Sequence, residues 1–131
     1  MESYMTEMEA IYDFWSSFSL PVFEKQSVPT KEYEGSPDFP YLTFEWKTDR
    51  FGSEMALTAS LWYRSPSFAE TEMKIKEMAE RIGRGGIFLP CRGGTIWLKR
   101  GKPFARFMKN EADDAVKRVD LHISAEFWME E

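Results

Sequence analysis

Residues 119–127 alternate strictly between apolar and polar side chains, and this pattern constrains the fold more than any other stretch of the chain. Its two sets are Val119, Leu121, Ile123, Ala125 and Phe127 against Asp120, His122, Ser124 and Glu126. Because successive side chains of a strand point to opposite faces, the period of two predicts a strand over 116–128 with one buried face and one polar face. Such strands are typical of antiparallel sheets that are covered on one side only.

Four further segments indicate strands. Residues 41–47 and 55–63 also alternate, and the turn residues between them predict an antiparallel hairpin. The short apolar segments 86–90 and 95–100 predict a second hairpin, whose connection contains Gly93 and Gly94. The sheet is therefore expected to have about five strands.

Two segments have the apolar period of an amphipathic helix. The stripe in residues 4–18 comprises Tyr4, Met8, Ile11, Tyr12, Trp15 and Phe18. Thr6 and Glu9 match a capping box there, although Ser3 is an equally good start. The stripe of the second segment, residues 65–83, comprises Phe68, Ile75, Met78, Ala79 and Ile82. Ser65 with Pro66, or Ser67 with Glu70, is expected to cap its start, and Gly83 its end.

Residues 20–40 are interrupted by four prolines and a glycine and show no period, so we expect a long surface loop there. We find no internal repeat, and residues 1–131 are assigned to a single domain. The predicted fold class is α+β, with a mostly antiparallel sheet of about five strands and two α-helices packed on one face.

Composition excludes several classes of protein. With 43% hydrophobic and 16% aromatic residues, the chain can bury a substantial core. No apolar run approaches the roughly 20 residues that cross a bilayer, and the acidic N-terminus does not resemble a signal peptide, so we expect no membrane association and a cytoplasmic protein. Cys91 and His122 are the single cysteine and the single histidine. These counts rule out an internal disulfide and an ordinary His-rich zinc site. Because the sequence also has no nucleophile elbow and no second acidic cluster to complete a metal site, we expect no metal, cofactor or enzymatic activity.

Charge is segregated along the chain, whose net charge is −5. Residues 1–80 hold 7 basic and 15 acidic side chains, residues 81–118 hold 10 basic and 3 acidic ones, and residues 119–131 hold 4 acidic ones. An acidic chain with one basic block predicts charge-matched surfaces that meet on a partner or on copies of the chain itself.

The basic block 81–118 leaves a second interpretation open. Aromatic residues interleave with its basic ones, as a surface that stacks on nucleobases requires; they are Phe88, Trp97, Phe104 and Phe107. A nucleic-acid-binding accessory domain that uses this segment is therefore the alternative function. The glycines of the block do not predict a phosphate-binding loop, because they follow a helix or join two strands instead of preceding a helix.

Outward-facing tryptophans are the other unusual feature. Trp62, Trp97 and Trp128 each alternate with the apolar set of their own strand. Large aromatic residues on an exposed face are typical of subunit contacts, although a second, smaller core under the 20–40 loop would also bury them. The candidate interface comprises these three tryptophans with Arg84, Arg92, Arg100, Lys102 and Arg106.

Segments 60–65, 82–106 and 113–127 resemble small tail-completion proteins from prophages of Gram-positive bacteria. These proteins are similar to the tail terminators of long-tailed, siphovirus-like phages, and "FPYLTFEW" at 39–46 adds to the resemblance. The resemblance implies a ring, commonly a hexamer, that caps the tail tube and forms part of the head–tail joining interface.

It further implies that the partners are other copies of the chain, the tail tube protein and the head–tail connector proteins. DNA would only pass through the ring as cargo. The chain would be found in the host cytoplasm during assembly and afterwards in the tail or neck of the virion. No catalytic residues are implied.

Overall fold

The computed structural model describes residues 5–25, 38–47, 54–109 and 113–130. Two helices and six strands follow one another as α1 (Glu7–Ser16), β1 (Val22–Glu24), β2 (Tyr41–Phe44), β3 (Glu54–Arg64), α2 (Ala69–Ile82), β4 (Ile87–Cys91), β5 (Gly94–Lys109) and β6 (Val116–Met129). The strands form one sheet in the order β1-β2-β3-β6-β5-β4. The predicted α+β class is confirmed, with six strands in place of about five.

The long strand β6 lies at the centre of the sheet, as its alternation indicates. It pairs antiparallel with β3 from Val116 to Glu126 and with β5 from Lys117 to Met129. The apolar set of β6 is buried throughout, and Leu121 and Ala125 have no exposed surface. We call this buried side of the sheet the inner face and the opposite side the outer face.

Part of the predicted 20–40 loop is a strand. Val22–Glu24 pairs parallel with Leu42–Phe44, so the sheet is mixed. Three residues are too few to show a period, and the partner of a parallel strand lies far along the chain, so the sequence pattern could not reveal this pairing. Residues 26–37 of the loop lie outside the described part of the chain, and so do residues 48–53 of the predicted turn at 48–54, whose last residue Glu54 is the first residue of β3.

Strand β5 is much longer than the predicted segment 95–100. It continues to Lys109 through a bulge between Arg100 and Ala105, which pair with Ile123 and Leu121 of β6. Four residues of β5 thus lie opposite the single residue His122. Gly101 and Pro103 are typical of turns, but here the bulge accommodates them and the pairing with β6 resumes.

Helix α1 begins with the predicted capping box. The Thr6 hydroxyl accepts from the Glu9 N–H at 3.1 Å, and the Glu9 carboxylate accepts from the Thr6 N–H at 3.2 Å. The predicted stripe is displaced, however, because Met8 and Tyr12 are exposed. The buried face comprises Ala10, Ile11, Phe14, Trp15 and Phe18. A tyrosine at the rim of such a face keeps its hydroxyl in water, which hydropathy counts do not register.

Helix α2 lacks the predicted side-chain cap. Its first residue is Ala69, and the preceding Phe68 makes no side-chain capping hydrogen bond. Ser65 and Ser67 instead accept backbone N–H groups two residues ahead, in the approach to the helix. The helix ends as predicted before Gly83, whose φ of +74° favours glycine.

Both helices pack on the inner face, as predicted. Ile11 and Trp15 of α1 share one core cluster with Met78 and Ile82 of α2 and with the apolar sets of β3, β5 and β6. The Lys74 ammonium of α2 also donates to the Phe18 carbonyl after α1, at 2.9 Å. Within the described ranges, the outer face therefore carries no helix.

We expect Trp15→Ala to lower the free energy of unfolding by about 3–5 kcal/mol, since it removes a large side chain that is 1% exposed. Trp15 also contacts Phe14 edge-on, with ring centroids 5.0 Å apart. Urea denaturation, monitored by circular dichroism, measures the loss in the free energy of unfolding. Met73→Ala on the exposed side of α2 is the control and should cost under about 0.5 kcal/mol. A loss below about 1 kcal/mol for Trp15→Ala would contradict its place in the core.

Candidate partner interface on the outer sheet face

All three predicted tryptophans lie on the outer face, but the sheet separates them into two places. Trp62 pairs with Arg118 of β6, whereas Trp97 pairs with Glu126 and Trp128 is two residues farther along β6. Ten residues of β6 separate Arg118 from Trp128, which corresponds to about 33 Å of extended strand. Trp97 and Trp128 thus belong together, and Trp62 lies near the opposite end of the sheet.

Phe88, Trp97 and Trp128 form one exposed cluster, which we call the aromatic patch. The Trp97 ring centroid is 5.6 Å from that of Phe88 and 5.7 Å from that of Trp128, and Phe88 and Trp128 are 5.5 Å apart. Phe88 remains 52% exposed and Trp128 48% exposed. Exposed aromatic clusters of this kind are typical of protein–protein contacts.

The β4–β5 hairpin positions the aromatic patch. Its two-residue turn at Arg92 and Gly93 sets the register in which Phe88 lies directly opposite Trp97. Strand β4 forms an edge of the sheet, and Pro90 within it is consistent with an edge strand, because proline has no N–H to donate. The patch therefore lies at a side of the molecule where a partner can approach it.

Polar contacts orient the Trp97 ring of the patch. The Trp97 indole N–H donates to the Gly85 carbonyl at 2.8 Å, and the Lys99 ammonium lies 4.3 Å from the Trp97 ring centroid. Lys99 also pairs with Glu54 at 2.8 Å. The hydrogen bond from Lys99, followed by that from Ser124, lowers the pKa of the Glu54 carboxyl below its ordinary value. This carboxylate thus holds Lys99 beside Trp97 at neutral pH.

Trp62 is packed into a cross-strand stack at the other end of the outer face. Tyr41 lies parallel to it at 5.9 Å, the Arg118 guanidinium lies 5.6 Å from its ring centroid, and its indole N–H donates to the Thr43 hydroxyl. Burial raises the pKa of Tyr41. Trp62 is half-buried by these contacts and is therefore less accessible to a partner than Phe88 and Trp128 of the aromatic patch. A partner contact at Trp62 stays a prediction.

The five predicted basic residues divide among three places. Arg84 precedes Gly85, which binds Trp97, and Arg92 lies in the hairpin turn, so both are near the aromatic patch. Lys102 and Arg106 line one depression at the β5 bulge. By register, Arg100 lies on the inner-face side of β5, because it pairs with the buried Ile123. They do not form one continuous basic surface.

The aromatic residues of the basic block are also divided between the two faces. Phe107 pairs with Val119 on the inner face and contacts Phe68 edge-on at 5.1 Å, and Phe104 packs against the core. Only Phe88 and Trp97 of the four lie on the outer face. The block therefore does not present the continuous stacking surface that a nucleic-acid-binding strip requires.

Comparison with known proteins gives a likeness in structure. No protein-family model and no curated protein matches the sequence. The structure is similar to a chain from the virion of a native gene transfer agent particle, with a TM-score of 0.54 and 15% sequence identity. The two chains share a fold. The likeness covers 92% of this chain and 93% of the virion chain.

Phe88 is the one residue of the aromatic patch that the predicted interface did not include. A signal for it was present, because the predicted strands 86–90 and 95–100 end at Pro90 and begin at Thr95, and counting outward from this pair brings Phe88 opposite Trp97. In the described ranges, no group of three or more histidine, cysteine, aspartate or glutamate side chains is placed to hold a metal ion. Neither helix is long and apolar enough to span a bilayer.

Proposed function

We propose that this chain is a structural subunit of a phage-like particle, which forms a ring that caps the tail tube and contributes to the head–tail joining interface. The observation that carries the proposal is the fold shared over 92% of the chain with a component of a gene transfer agent virion. The resemblance of segments 60–65, 82–106 and 113–127 to tail-completion proteins supports the same assignment independently of that fold.

The outer face supplies the contact that such a subunit requires. In a ring, each interface joins two different surfaces, so a subunit must carry at least two distinct contact regions. The aromatic patch is one of them, because Phe88 and Trp128 each leave about half of their surface in water. Its partner is the tail tube protein, a head–tail connector protein or a second copy of the chain. Arg84 and Arg92 lie at its margin.

A hexameric ring formed in the host cytoplasm and retained in the tail or neck of the virion follows from this assignment. DNA passes through the ring as cargo, and the subunit has no membrane partner and no catalytic role. The alternative, a nucleic-acid-binding accessory domain, requires a basic and aromatic surface that the sheet divides between its two faces.

The test is the oligomeric state of the purified chain, alone and with tail tubes. Light scattering on a sizing column across a hundredfold range of concentration measures the mass, and negative-stain images show the shape of any large species. We expect a closed ring, or a monomer that binds the ends of purified tail tubes. A chain that stays monomeric and does not bind tail tubes would refute the proposal. Affinity for duplex DNA that falls steeply with salt would favour the alternative.

A further inference from the structure

One exposed side of α2 carries three glutamates around an exposed methionine, and the exposed Lys76 lies beside them. Glu70, Met73, Glu77 and Glu80 follow one another at intervals of three, four and three residues, which places them on one side of the helix. Met73 is 75% exposed. The buried residues Thr71, Met78 and Ile82 lie on the opposite side of the helix. We call the outer set the acidic stripe.

The β5 bulge has the complementary composition. Lys102 and Arg106 are exposed, and Pro103 between them is exposed as well. All three line one depression that also includes His122 and Ser124. The register places Arg106 opposite Asp120 on the outer face. We call Lys102, Pro103 and Arg106 the basic bulge.

Ion pairs within the described part of the chain do not fully neutralise either surface. Among the described residues, no ion pair joins the basic bulge to any carboxylate, because Asp120 pairs with Arg118 and accepts a hydrogen bond from Ser60. On the acidic stripe, Glu77 pairs with Lys74 at 3.3 Å, but no ion pair within the described ranges engages Glu70 or Glu80. Both surfaces therefore retain charge for a partner.

The two surfaces are opposite in charge, and their spacings are compatible. Glu70 and Glu77 are two helical turns apart, about 10 Å, with Met73 between them. Lys102 and Arg106 are separated by at most about 14 Å of chain, with Pro103 between them. Each surface thus presents two charges on either side of one apolar side chain. Methionine adapts its shape to an apolar partner more readily than branched side chains do.

We propose that the acidic stripe of one copy binds the basic bulge of the next copy. This contact is the head-to-tail joint between neighbouring subunits, and it rests on the proposed function, in which copies of the chain form a ring. The stripe lies on the helix layer and the bulge on the outer face, so the two surfaces are on opposite sides of the sheet. Different surfaces that face apart generate a ring or a filament rather than a two-fold dimer.

Charge-swap variants test this contact. Lys102→Glu with Arg106→Glu reverses the bulge, and Glu70→Lys with Glu77→Lys reverses the stripe. Because like charges then face each other, each reversed chain should need about tenfold more protein, or higher, to assemble. An equimolar mixture of the two should assemble like the wild type, since the reversed bulge of one chain meets the reversed stripe of the other. The chain that carries all four substitutions should also recover.

Asp13→Lys with Glu72→Lys is the matched control, because it makes the same change in net charge as the reversed stripe at exposed helix positions outside the stripe. It should assemble at the wild-type concentration. The readout is light scattering in 50 mM salt, carried out on tail tubes if the wild type assembles only there, and circular dichroism confirms that every variant is folded.

The outcomes separate the two proposals. Reversed chains that assemble like the wild type, or a mixture that fails to recover, would overturn the contact while leaving the ring in place. A wild-type chain that assembles neither alone nor on tail tubes would overturn the proposed function and this contact with it. In 500 mM salt the wild type should itself need more protein to assemble, because screening shortens the range of the attraction.

Discussion

Replacing Phe88 and Trp128 together by alanine should weaken binding of the chain to its partner by about 100-fold or more. Truncation of a central tryptophan in a protein–protein interface costs about 2–4 kcal/mol, and each 1.4 kcal/mol is a factor of ten in affinity. The fold should tolerate the change, because both side chains already leave about half of their surface in water. The expected result is a folded chain with a large defect in assembly.

Tyr12→Ala is the matched control for this prediction. Tyr12 is a similarly exposed aromatic residue on α1, at 46%, and its ring centroid lies 6.3 Å from that of Phe44. Assembly is followed by light scattering or by sedimentation with tail tubes, and folding by thermal denaturation. If the double variant and Tyr12→Ala assembled equally well, the aromatic patch would have no role in partner binding.

Gly94→Ala should destabilise the chain by about 3 kcal/mol, and the aromatic patch with it. A Cβ atom at Gly94 would lie 2.8 Å from the Met129 Cα and still closer to the Trp128 carbonyl oxygen. Both atoms belong to the backbone of β6, which cannot rotate away as a side chain can. Because overpacking forces a backbone shift, the hairpin must move away from β6 at the point where it carries the patch.

Gly85→Ala is the control for this substitution, since a Cβ atom at Gly85 meets no other atom within 4 Å. It should change the free energy of unfolding by less than about 0.5 kcal/mol. Urea denaturation compares the two variants, and tryptophan fluorescence reports on Trp97 and Trp128. Equal stability of the two variants would show that β5 does not approach β6 as closely as the structure indicates.

The extent to which the fold could be predicted depends on the range of the interactions involved. The alternation of β6 and the capping box at Thr6 and Glu9 depend only on residues that are close together in the sequence, and both predictions are confirmed. The parallel strand Val22–Glu24 was missed because its partner is 20 residues away and its own length shows no period. The bulge of β5 was missed because Gly101 and Pro103 favour a turn in isolation, whereas β6 supplies a partner on both sides of them.

The candidate interface, like the fold, could be predicted only in part from the sequence. The outward direction of Trp62, Trp97 and Trp128 follows from alternation within each strand, and the structure places all three on the outer face. Their distribution does not follow, because it depends on which strands are neighbours. Arg100 and Arg106 appear equivalent in the sequence, yet the bulge between them places the two on opposite sides of β5.

The sequence by itself determined the α+β class, the hairpin at Gly93 and the two-sided character of the central strand. These depend on dihedral preferences and on side-chain periods of two or 3.6 residues, which act over a few neighbouring positions. Only the tertiary structure decided that Phe88, Trp97 and Trp128 form one patch and that Trp62 lies in a separate stack. The physical reason is that the strand order and the bulge set the distances between residues that are far apart in the chain, and those pairings are made by the folded sheet as a whole.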